Sequence, residues 1–504
     1  MKSNLFNKSK GIQFILTWIV LFFASILVRL PHILSDNFWF DGDEAIIGIM
    51  AQRLIAFEEF PIYFAGQNYG FSTFEVFSTA IFELFLGSGA LTLFLGGILL
   101  FSLACTFIFI ALKRKEVNTF LLYGVIFLLI TFPTWHFFAG KVRGGYLTAF
   151  LGISILFYYF SKTTLKRSDF IVAGLWLGII FESHVFILIG FSPIIITEII
   201  KRKFSIKDIF ITIASILVTV LLIRLLGTTE NPVWNPPKFS FDNNPINIFS
   251  DEFSTIFRAG FSGLYYYGMA IDFPNYWKVL SDFLLILMFV FIIKKSINIG
   301  KIGIIFLSSA ILVSILYLSV FSILGKPEPR YFLGFFTGIL FWFIYLIPHL
   351  KGKIESFLLI SSLIISLFGI TNAPKYIYCW YLTEENEQKL FSEFHQAVVD
   401  SNAEAIFLAE ALLQWKWNYL YGAEIPGSSF YERERIPFYQ EQVKALSISH
   451  PEKVVIGGFY GVTMGTELVQ GFNDGVIRIN SKYFIQPAFR IEYKERAERF
   501  ISGN

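Results

Sequence analysis

Long apolar runs separated by short polar stretches dominate the first 371 residues. A membrane-crossing helix needs about 20 apolar residues. The run at 169–200 is too long for one ordinary span and is interrupted by Glu182-Ser183-His184, so it is predicted to form two short helices that meet at a polar turn. Nine further runs lie near 12–30, 89–112, 118–138, 145–160, 206–226, 279–293, 302–324, 331–350 and 354–371. The pattern therefore predicts an α-helical multi-pass membrane protein with about 11 transmembrane helices.

The segment 72–87 is apolar but short, and it carries Glu75 and Glu83. A charge inside lipid costs several kcal/mol. We therefore expect a helix that lies on the membrane surface, within a long first loop at 31–88.

The distribution of Lys and Arg gives the orientation, because short cytoplasmic loops are enriched in both residues. With 72–87 kept outside, the predicted inside loops hold 18 Lys and Arg residues, and the much longer outside loops hold 8. The N-terminus is then cytoplasmic, and the 31–88 loop and everything after residue 371 are extracytoplasmic. If 169–200 were a single helix, the later loops would all be inverted.

Composition agrees with this picture. The chain has 504 residues, of which 55% are hydrophobic and only 16% are charged, and its mean hydropathy is +0.61. Scarce charge and abundant apolar residues exclude a disordered chain. The net charge of +3 is too small and too scattered to indicate nucleic acid binding.

After residue 371 charges return and the apolar runs shorten. The periodicity predicts helices at 384–400 and 411–421 and strands at 405–408, 453–457 and 476–479. The chain is thus expected to divide into a membrane module at 1–371 and a small extracytoplasmic α/β domain at 372–504. The domain either helps to hold an acceptor or cap the site, or serves as structural support alone.

The first loop is rich in acids, and the pair Asp43-Glu44 stands out among them. It lies shortly after a membrane span and directly before an amphipathic run. A carboxylate there can accept a proton from a substrate hydroxyl, so Asp43 is the candidate base and Glu44 its orienting partner. The alternative is that Asp43 is a helix N-cap, with Glu44 in the first turn.

Few cations are available on the predicted outer face to bind a phosphate. Lys141 and Arg143 follow the third span, and Arg330 precedes the tenth. Arg suits phosphate because its planar fork can bind two oxygens, and Gly144-Gly145 would allow close approach to the backbone. Tyr146 and Tyr331 adjoin these cations and are grouped with them. The alternative is that the cations anchor the helices at the headgroup level.

Two further pairs are candidates. Glu182 and His184 form a polar turn among helices, where ionisable groups are often functional, although a mutually satisfied Glu–His pair is the alternative. Gln67 and Tyr69 lie in a Gly-flanked segment of the first loop. No cofactor is indicated. First-loop acids and His184 could together hold a divalent metal, although no His or Cys cluster has metal-ligand spacing.

Several of these motifs recur together in one known family. The run Asp43-Glu44-Ala45, the turn 141–146, the segment Pro329-Arg330-Tyr331 and the stretches 414–421 and 435–439, in this order, resemble the GT-C integral-membrane glycosyltransferases. The similarity is greatest to the branch that holds protein O-mannosyltransferases and lipid A aminoarabinose transferases. In the latter the turn after the third span carries a second Asp, whereas this chain has Gly145-Tyr146 there.

The resemblance implies the reaction. Such enzymes take a sugar from a polyprenyl-phosphate carrier and pass it, here by expected inversion, to an extracytoplasmic glycan, lipid or protein. It also implies a multi-pass protein of the bacterial inner membrane. A transporter or flippase of lipid-linked sugars is the main alternative, but no inverted repeat is visible. A catalytically inactive relative is the third possibility, because the second acid is missing.

Overall fold

The computed structural model describes most of the chain. The described residues are 2–36, 38–227, 275–323, 333–349, 387–408, 411–429, 435–459, 477–478 and 483–487. The predicted span at 354–371 and the candidates Arg330 and Tyr331 lie outside them.

The regular elements described within the first 371 residues are helices. In chain order they are α1 (Lys2–Ile33), α2 (Gly42–Ile55), α3 (Thr73–Leu86), α4 (Ala90–Arg114), α5 (Thr119–Thr131), α6 (Pro133–Phe138), α7 (Tyr146–Phe160), α8 (Arg167–Arg202), α9 (Ile206–Gly227), α10 (Asn275–Asn298), α11 (Lys301–Ile323) and α12 (Leu333–Leu346).

Within the described residues, four helices are long and apolar enough to cross a membrane. They are Gly11–Ile33 of α1, α4, α8 and α9. Shorter apolar helices accompany them in α5, α7, α11 and α12. The predicted helical, multi-pass character is confirmed, whereas the count of 11 is not.

Two predicted spans differ in detail from the helices observed. The run at 118–138 is split between α5 and α6, because Phe132 is extended and Pro133 begins a new helix. The run at 169–200 lies in α8, whose two halves meet at a kink where His184 has non-helical dihedrals (φ −157°, ψ 89°). The polar residues of the predicted turn therefore lie at a break in α8, and the division of this run into two separate spans stays a prediction.

A short hairpin of the first loop, residues 63–71, packs against α8 at this break. Tyr63 and Phe71 pair as an antiparallel bridge, and the amides of Gly70 and Phe71 both donate to the Glu182 carbonyl at 3.0 Å. A backbone carbonyl freed at a helix break must find another partner when it is buried. The hairpin supplies that partner and fixes the first loop on α8.

The helix α3 matches the predicted surface segment. Its apolar side chains Phe77, Ile81, Leu84 and Phe85 are exposed, as expected for a helix lying on a membrane, an orientation that stays a prediction. Its Glu75 is fully buried and accepts hydrogen bonds from the amide and hydroxyl of Thr148, in the first turn of α7. Burial raises the pKa of Glu75 to about 7, so this carboxyl caps α7 in a desolvated setting.

The tail contains the predicted mixture of helices and strands. Its elements are α13 (Glu387–Asp400), β1 (Ala405–Leu408), α14 (Ala411–Tyr421), β2 (Gly427–Ser429), α15 (Pro437–Ser449), β3 (Val454–Phe459), β4 (Ile477–Arg478) and β5 (Tyr483–Pro487). The strands form one sheet in the order β2-β1-β3-β5-β4. The strand β1 pairs in parallel with β2 and β3, while β5 pairs antiparallel to β3 and β4. The division into separate domains stays a prediction.

The tail packs on the first loop through α14. The Tyr419 hydroxyl donates to Glu83 Oε2 at 2.9 Å and accepts from the Gly89 amide at 3.0 Å. Its ring lies against Gly48 of α2, where an added Cβ would come within 2.3 Å of the ring. The side chain of Gln52 also donates to the Tyr419 carbonyl at 3.0 Å. These contacts hold α14 of the tail against the middle and the last turn of α2.

A glycine substitution tests the packing at the start of α7. Gly145 has φ +88°, and an added Cβ would lie 2.7 Å from the Phe71 carbonyl oxygen. Gly87 also has a positive φ, +71°, but nothing lies within 4 Å of its Cβ position. Gly87→Ala should cost only backbone strain of about 1–3 kcal/mol, because φ +71° with ψ −172° is a conformation that only glycine adopts readily, whereas Gly145→Ala adds a clash to its left-handed strain. We expect a clearly lower Tm for Gly145→Ala in detergent. Equal Tm values would contradict the close packing of α7 against the hairpin.

Candidate functional site

The acidic start of α2 is organised by Asp41. Its Oδ1 accepts from the amides of Asp43 (3.0 Å) and Glu44 (3.1 Å), while Glu44 Oε2 accepts from the Asp41 amide at 3.0 Å. This reciprocal capping box satisfies the first amides of the helix. The alternative that Asp43 is the N-cap is wrong, because the N-cap is Asp41, two residues earlier. Glu44 lies in the first turn, as predicted.

Two cations from the segment after α6 meet these acids. Lys141 Nζ lies 2.9 Å from Asp41 Oδ2 and 2.7 Å from Glu44 Oε2. Arg143 lies 2.5 Å from Asp41 Oδ2 and 3.5 Å from Asp43 Oδ2. The structure thus brings the predicted residues Asp43, Glu44, Lys141 and Arg143 into one cluster around Asp41. We call these five residues the charge cluster.

The cluster shifts the ionisation of its members in different directions. Burial alone would raise the pKa of Asp41, but Arg143 and Lys141 outweigh burial and hold it far below its usual range. Burial, reinforced by the nearby Asp41 charge, raises the pKa of Glu44 above its ordinary value despite Lys141. For Arg143, the three carboxylates outweigh burial and raise the pKa. Asp41 and Arg143 therefore stay charged, whereas burial favours the neutral form of Glu44.

Asp43 is more exposed to solvent and less tightly paired than the other two acids of the cluster. Its side chain is 25% exposed, against 12% for Asp41 and 4% for Glu44, and its one contact with Arg143 is the longest ion pair of the cluster. Lys141, by contrast, is only 3% exposed and is engaged by two carboxylates. The arrangement can therefore offer one accessible carboxylate for proton transfer while the buried ion pairs hold it in place.

The glycine turn that follows Arg143 has a packing role. Gly144 and Gly145 both have positive φ, and Gly145 lies against the carbonyls of Phe71 and Ser183. Gly144 faces the ring of Phe64. These contacts explain the two glycines by backbone conformation and close packing. Close approach of a phosphate to the backbone of this turn stays a prediction.

The candidates Glu182 and His184 do not form the pair considered above. Glu182 accepts from the Tyr63 hydroxyl at 2.8 Å and from Arg224 Nε at 2.9 Å. The His184 ring packs on Tyr146, with ring centroids 4.4 Å apart. These residues link the kink of α8 to the hairpin and to the start of α7, so they support the turn that carries Arg143.

Gln67 and Tyr69 lie at the tip of the hairpin. The backbone amide of Gln67 donates to the Phe64 carbonyl at 3.1 Å, and the Tyr69 side chain is 41% exposed. Both residues belong to the hairpin, whereas the charge cluster is carried by the start of α2 and the segment after α6. Arg435, from the tail, lies over the Phe64 ring at 5.5 Å, so the tail reaches the base of this hairpin.

Sequence reasoning missed Asp41, Tyr63 and Arg29. The spacing Asp41-x-x-Glu44 is a capping-box signature that could have identified Asp41. Tyr63 meets Glu182 across more than a hundred residues, and no local signal marks that contact. Arg29 is buried in α1 and donates to the carbonyls of Ser25, Ile130, Trp135 and His136, which joins α1 to α5 and α6.

Metal ligation has little support in this part of the chain. Among the described residues, no group of three or more His, Cys, Asp or Glu side chains is placed to hold a metal ion.

The fold is that of known glycosyltransferases. The chain superposes on crystal structures of ArnT from Cupriavidus metallidurans, the lipid A aminoarabinose transferase of the GT-C class, in the apo state (TM-score 0.60) and bound to undecaprenyl phosphate (TM-score 0.58). Each match has 10% sequence identity and covers 95% of this chain and 98% of the other. No family model and no curated protein sequence matches. The expected GT-C resemblance is confirmed at the level of the fold, and with it an integral membrane protein.

Removing the central carboxylate tests the charge cluster. Asn caps helices about as well as Asp, so Asp41→Asn should keep the cap while leaving Lys141 and Arg143 short of their shared partner. Breaking a buried pair costs about 3–5 kcal/mol, and we expect a marked loss of Tm in detergent. Asp36→Asn, at an exposed position of the same loop, is the matched control and should leave Tm unchanged. A stable Asp41→Asn protein would show that the buried ion pairs are dispensable.

Proposed function

We propose that this protein transfers a sugar from a polyprenyl-phosphate carrier to an acceptor glycan, lipid or protein on the extracytoplasmic side of the membrane. The observation that carries the proposal is the charge cluster just beyond the first span, in a fold that matches a structure of ArnT bound to undecaprenyl phosphate over 95% of the chain. A lipid-borne phosphate lies at the headgroup level, and the residues that follow a span lie near that level.

Asp43 is the proposed base. Asp41 is ionised but saturated by Lys141 and Arg143, and Glu44 is almost fully buried. Asp43 is the accessible member of the three, and the first turn of α2 holds it beside Arg143. A positioned carboxylate can take the proton of an acceptor hydroxyl as the oxygen attacks the anomeric carbon.

Arg143 is the proposed ligand of the donor phosphate. Its NH2 group is held by Asp41, but its buried Nε has no hydrogen-bond partner among the described residues. An unpaired buried donor is costly, and a phosphate oxygen would satisfy it. Lys141 then acts through its charge, since both of its carboxylate partners are already in place.

The reaction is a single displacement in this scheme. The acceptor oxygen forms the new glycosidic bond as the bond from the anomeric carbon to the phosphate oxygen breaks. The bonding electrons leave with the polyprenyl phosphate, whose charge Arg143 stabilises, and the hydroxyl proton passes to Asp43. Direct attack inverts the anomeric configuration.

Substitution of the proposed base tests this scheme. Asp43→Asn keeps the size of the side chain, and Asp43 is not the N-cap, so Tm should be preserved. We expect transfer to fall by roughly 10²–10⁴-fold, the usual contribution of a positioned base. Release of polyprenyl phosphate from a panel of synthetic polyprenyl-phosphate sugars measures the rate, with Asp36→Asn as control. Wild-type activity in Asp43→Asn would exclude Asp43 as the base.

The donor site is tested by a change that keeps the charge. Arg143→Lys retains a cation but removes Nε and the planar fork. We expect the Kd for undecaprenyl phosphate, measured by native mass spectrometry, to rise by about tenfold. Arg53→Lys is the matched control, because Arg53 pairs with the exposed Glu58 and Glu59 and should bind the lipid normally. Unchanged affinity in Arg143→Lys would place the phosphate elsewhere.

A further inference from the structure

A small cavity lies behind the charge cluster, on the side of Glu44 that faces α1. Its wall is formed by residues of α1, α2, α4 and α6 and of the segments beside them, including Phe38, Trp39, Glu44, Phe94, His136 and Lys141. It has space for only about one or two water molecules.

Two side chains in this wall carry polar atoms that lack a partner. Trp39 Nε1 and His136 Nδ1 are buried and form no hydrogen bond with any described residue. The two side chains belong to residues that are only 8% and 6% exposed. Leaving such an atom unsatisfied costs about 1–3 kcal/mol. Two of them in the wall of one small cavity therefore indicate an occupant.

Glu44 supplies the third polar group. Both hydrogen bonds that Glu44 accepts from described residues, from the Asp41 amide and from Lys141 Nζ, end on Oε2. Neither uses Oε1. Glu44 lines the cavity together with Trp39 and His136, so its Oε1 is an acceptor available to the same occupant.

The three groups together define the occupant. The Trp39 indole is only a donor, and the Glu44 carboxylate is only an acceptor. The Arg29 guanidinium beside His136 favours a neutral imidazole, whose Nδ1 can accept when the proton is on Nε2. A cation would meet Arg29 and Lys141, and an anion would meet Glu44. A water molecule can accept the hydrogen bond of the indole and donate its two O–H groups to His136 and Glu44, which matches this set.

We propose that the cavity holds an ordered water molecule that accepts a hydrogen bond from Trp39 Nε1 and donates to His136 Nδ1 and Glu44 Oε1. Buried waters typically make about three hydrogen bonds. This one would stabilise the ionised form of Glu44 and so preserve the partner of Lys141. Trp39 and His136 are then positioning residues that act on the cluster through water.

The consequence is measurable on Glu44 itself. The charged and titratable groups that face it are Asp41, Asp43, Lys141, Arg143, Arg29, His32, His136 and Tyr419. None of these charges is altered by Trp39→Phe, which removes only the indole N–H. Loss of a hydrogen bond to the carboxylate disfavours its charged form.

Infrared difference spectroscopy can follow the Glu44 carboxyl during a pH titration, with the band assigned by its absence in Glu44→Gln. We expect Trp39→Phe and His136→Leu to raise the pKa of Glu44 by about 1. His136→Asn, which keeps a polar atom near the Nδ1 position, should largely restore the wild-type value. Trp18→Phe removes an indole that donates to Ser102 Oγ away from the cavity, and it should leave the Glu44 band unchanged.

The second test of the proposal is an experimental structure at a resolution that shows ordered water. Density for one water between Trp39, His136 and Glu44 supports the proposal, and its loss in Trp39→Phe supports it further. A dry cavity, density too large for water, or an unchanged Glu44 titration in both Trp39→Phe and His136→Leu would overturn it. Neither test measures sugar transfer, so its failure is distinguishable from failure of the proposed function.

Discussion

The burial of Asp41 is the constraint on which the rest of the site depends. A carboxylate removed from water must be paired, because an isolated buried charge is prohibitively costly. Its partners, Lys141 and Arg143, lie about a hundred residues later in the chain. The start of α2 and the turn between α6 and α7 are therefore obliged to meet. Arg29 of α1 donates to two backbone carbonyls of α6 and one of α5, which fixes α6 and the segment that follows it against α1.

Such a cluster is weak evidence for stability, since the desolvation of buried ions can cancel their attraction. The contribution of the cluster is to hold its side chains in fixed positions. Two cations facing three carboxylates leave one acid in excess, and the geometry selects Asp43, the acid with the longest contact and the greatest exposure. The buried pairs thus determine which carboxylate is available, and the surrounding helices determine where it is held.

Much of the fold could be predicted from local patterns. Apolar runs anticipated α1, α4, α7, α8 and α9, and tail periodicity anticipated α14, β1 and β3. Four of the five residues of the charge cluster, all but Asp41, were also identified, because charges are scarce beside membrane spans. The N-cap was misplaced from Asp41 to Asp43, since capping depends on backbone dihedrals at the helix start. The partners of Glu182 and Tyr419 could not be predicted, because both contacts join residues far apart in the chain.

The unequal ion pairs also give the proposed reaction an order. Arg143 lies 2.5 Å from Asp41 but 3.5 Å from Asp43, and Coulomb attraction weakens with distance. An incoming phosphodiester competes for the same guanidinium and exchanges first with the weaker partner. Asp41 then keeps Arg143 in place while Asp43 is released to face the acceptor hydroxyl. In this scheme, binding of the donor frees the base, so that the carboxylate becomes available for proton transfer when the leaving phosphate is already held.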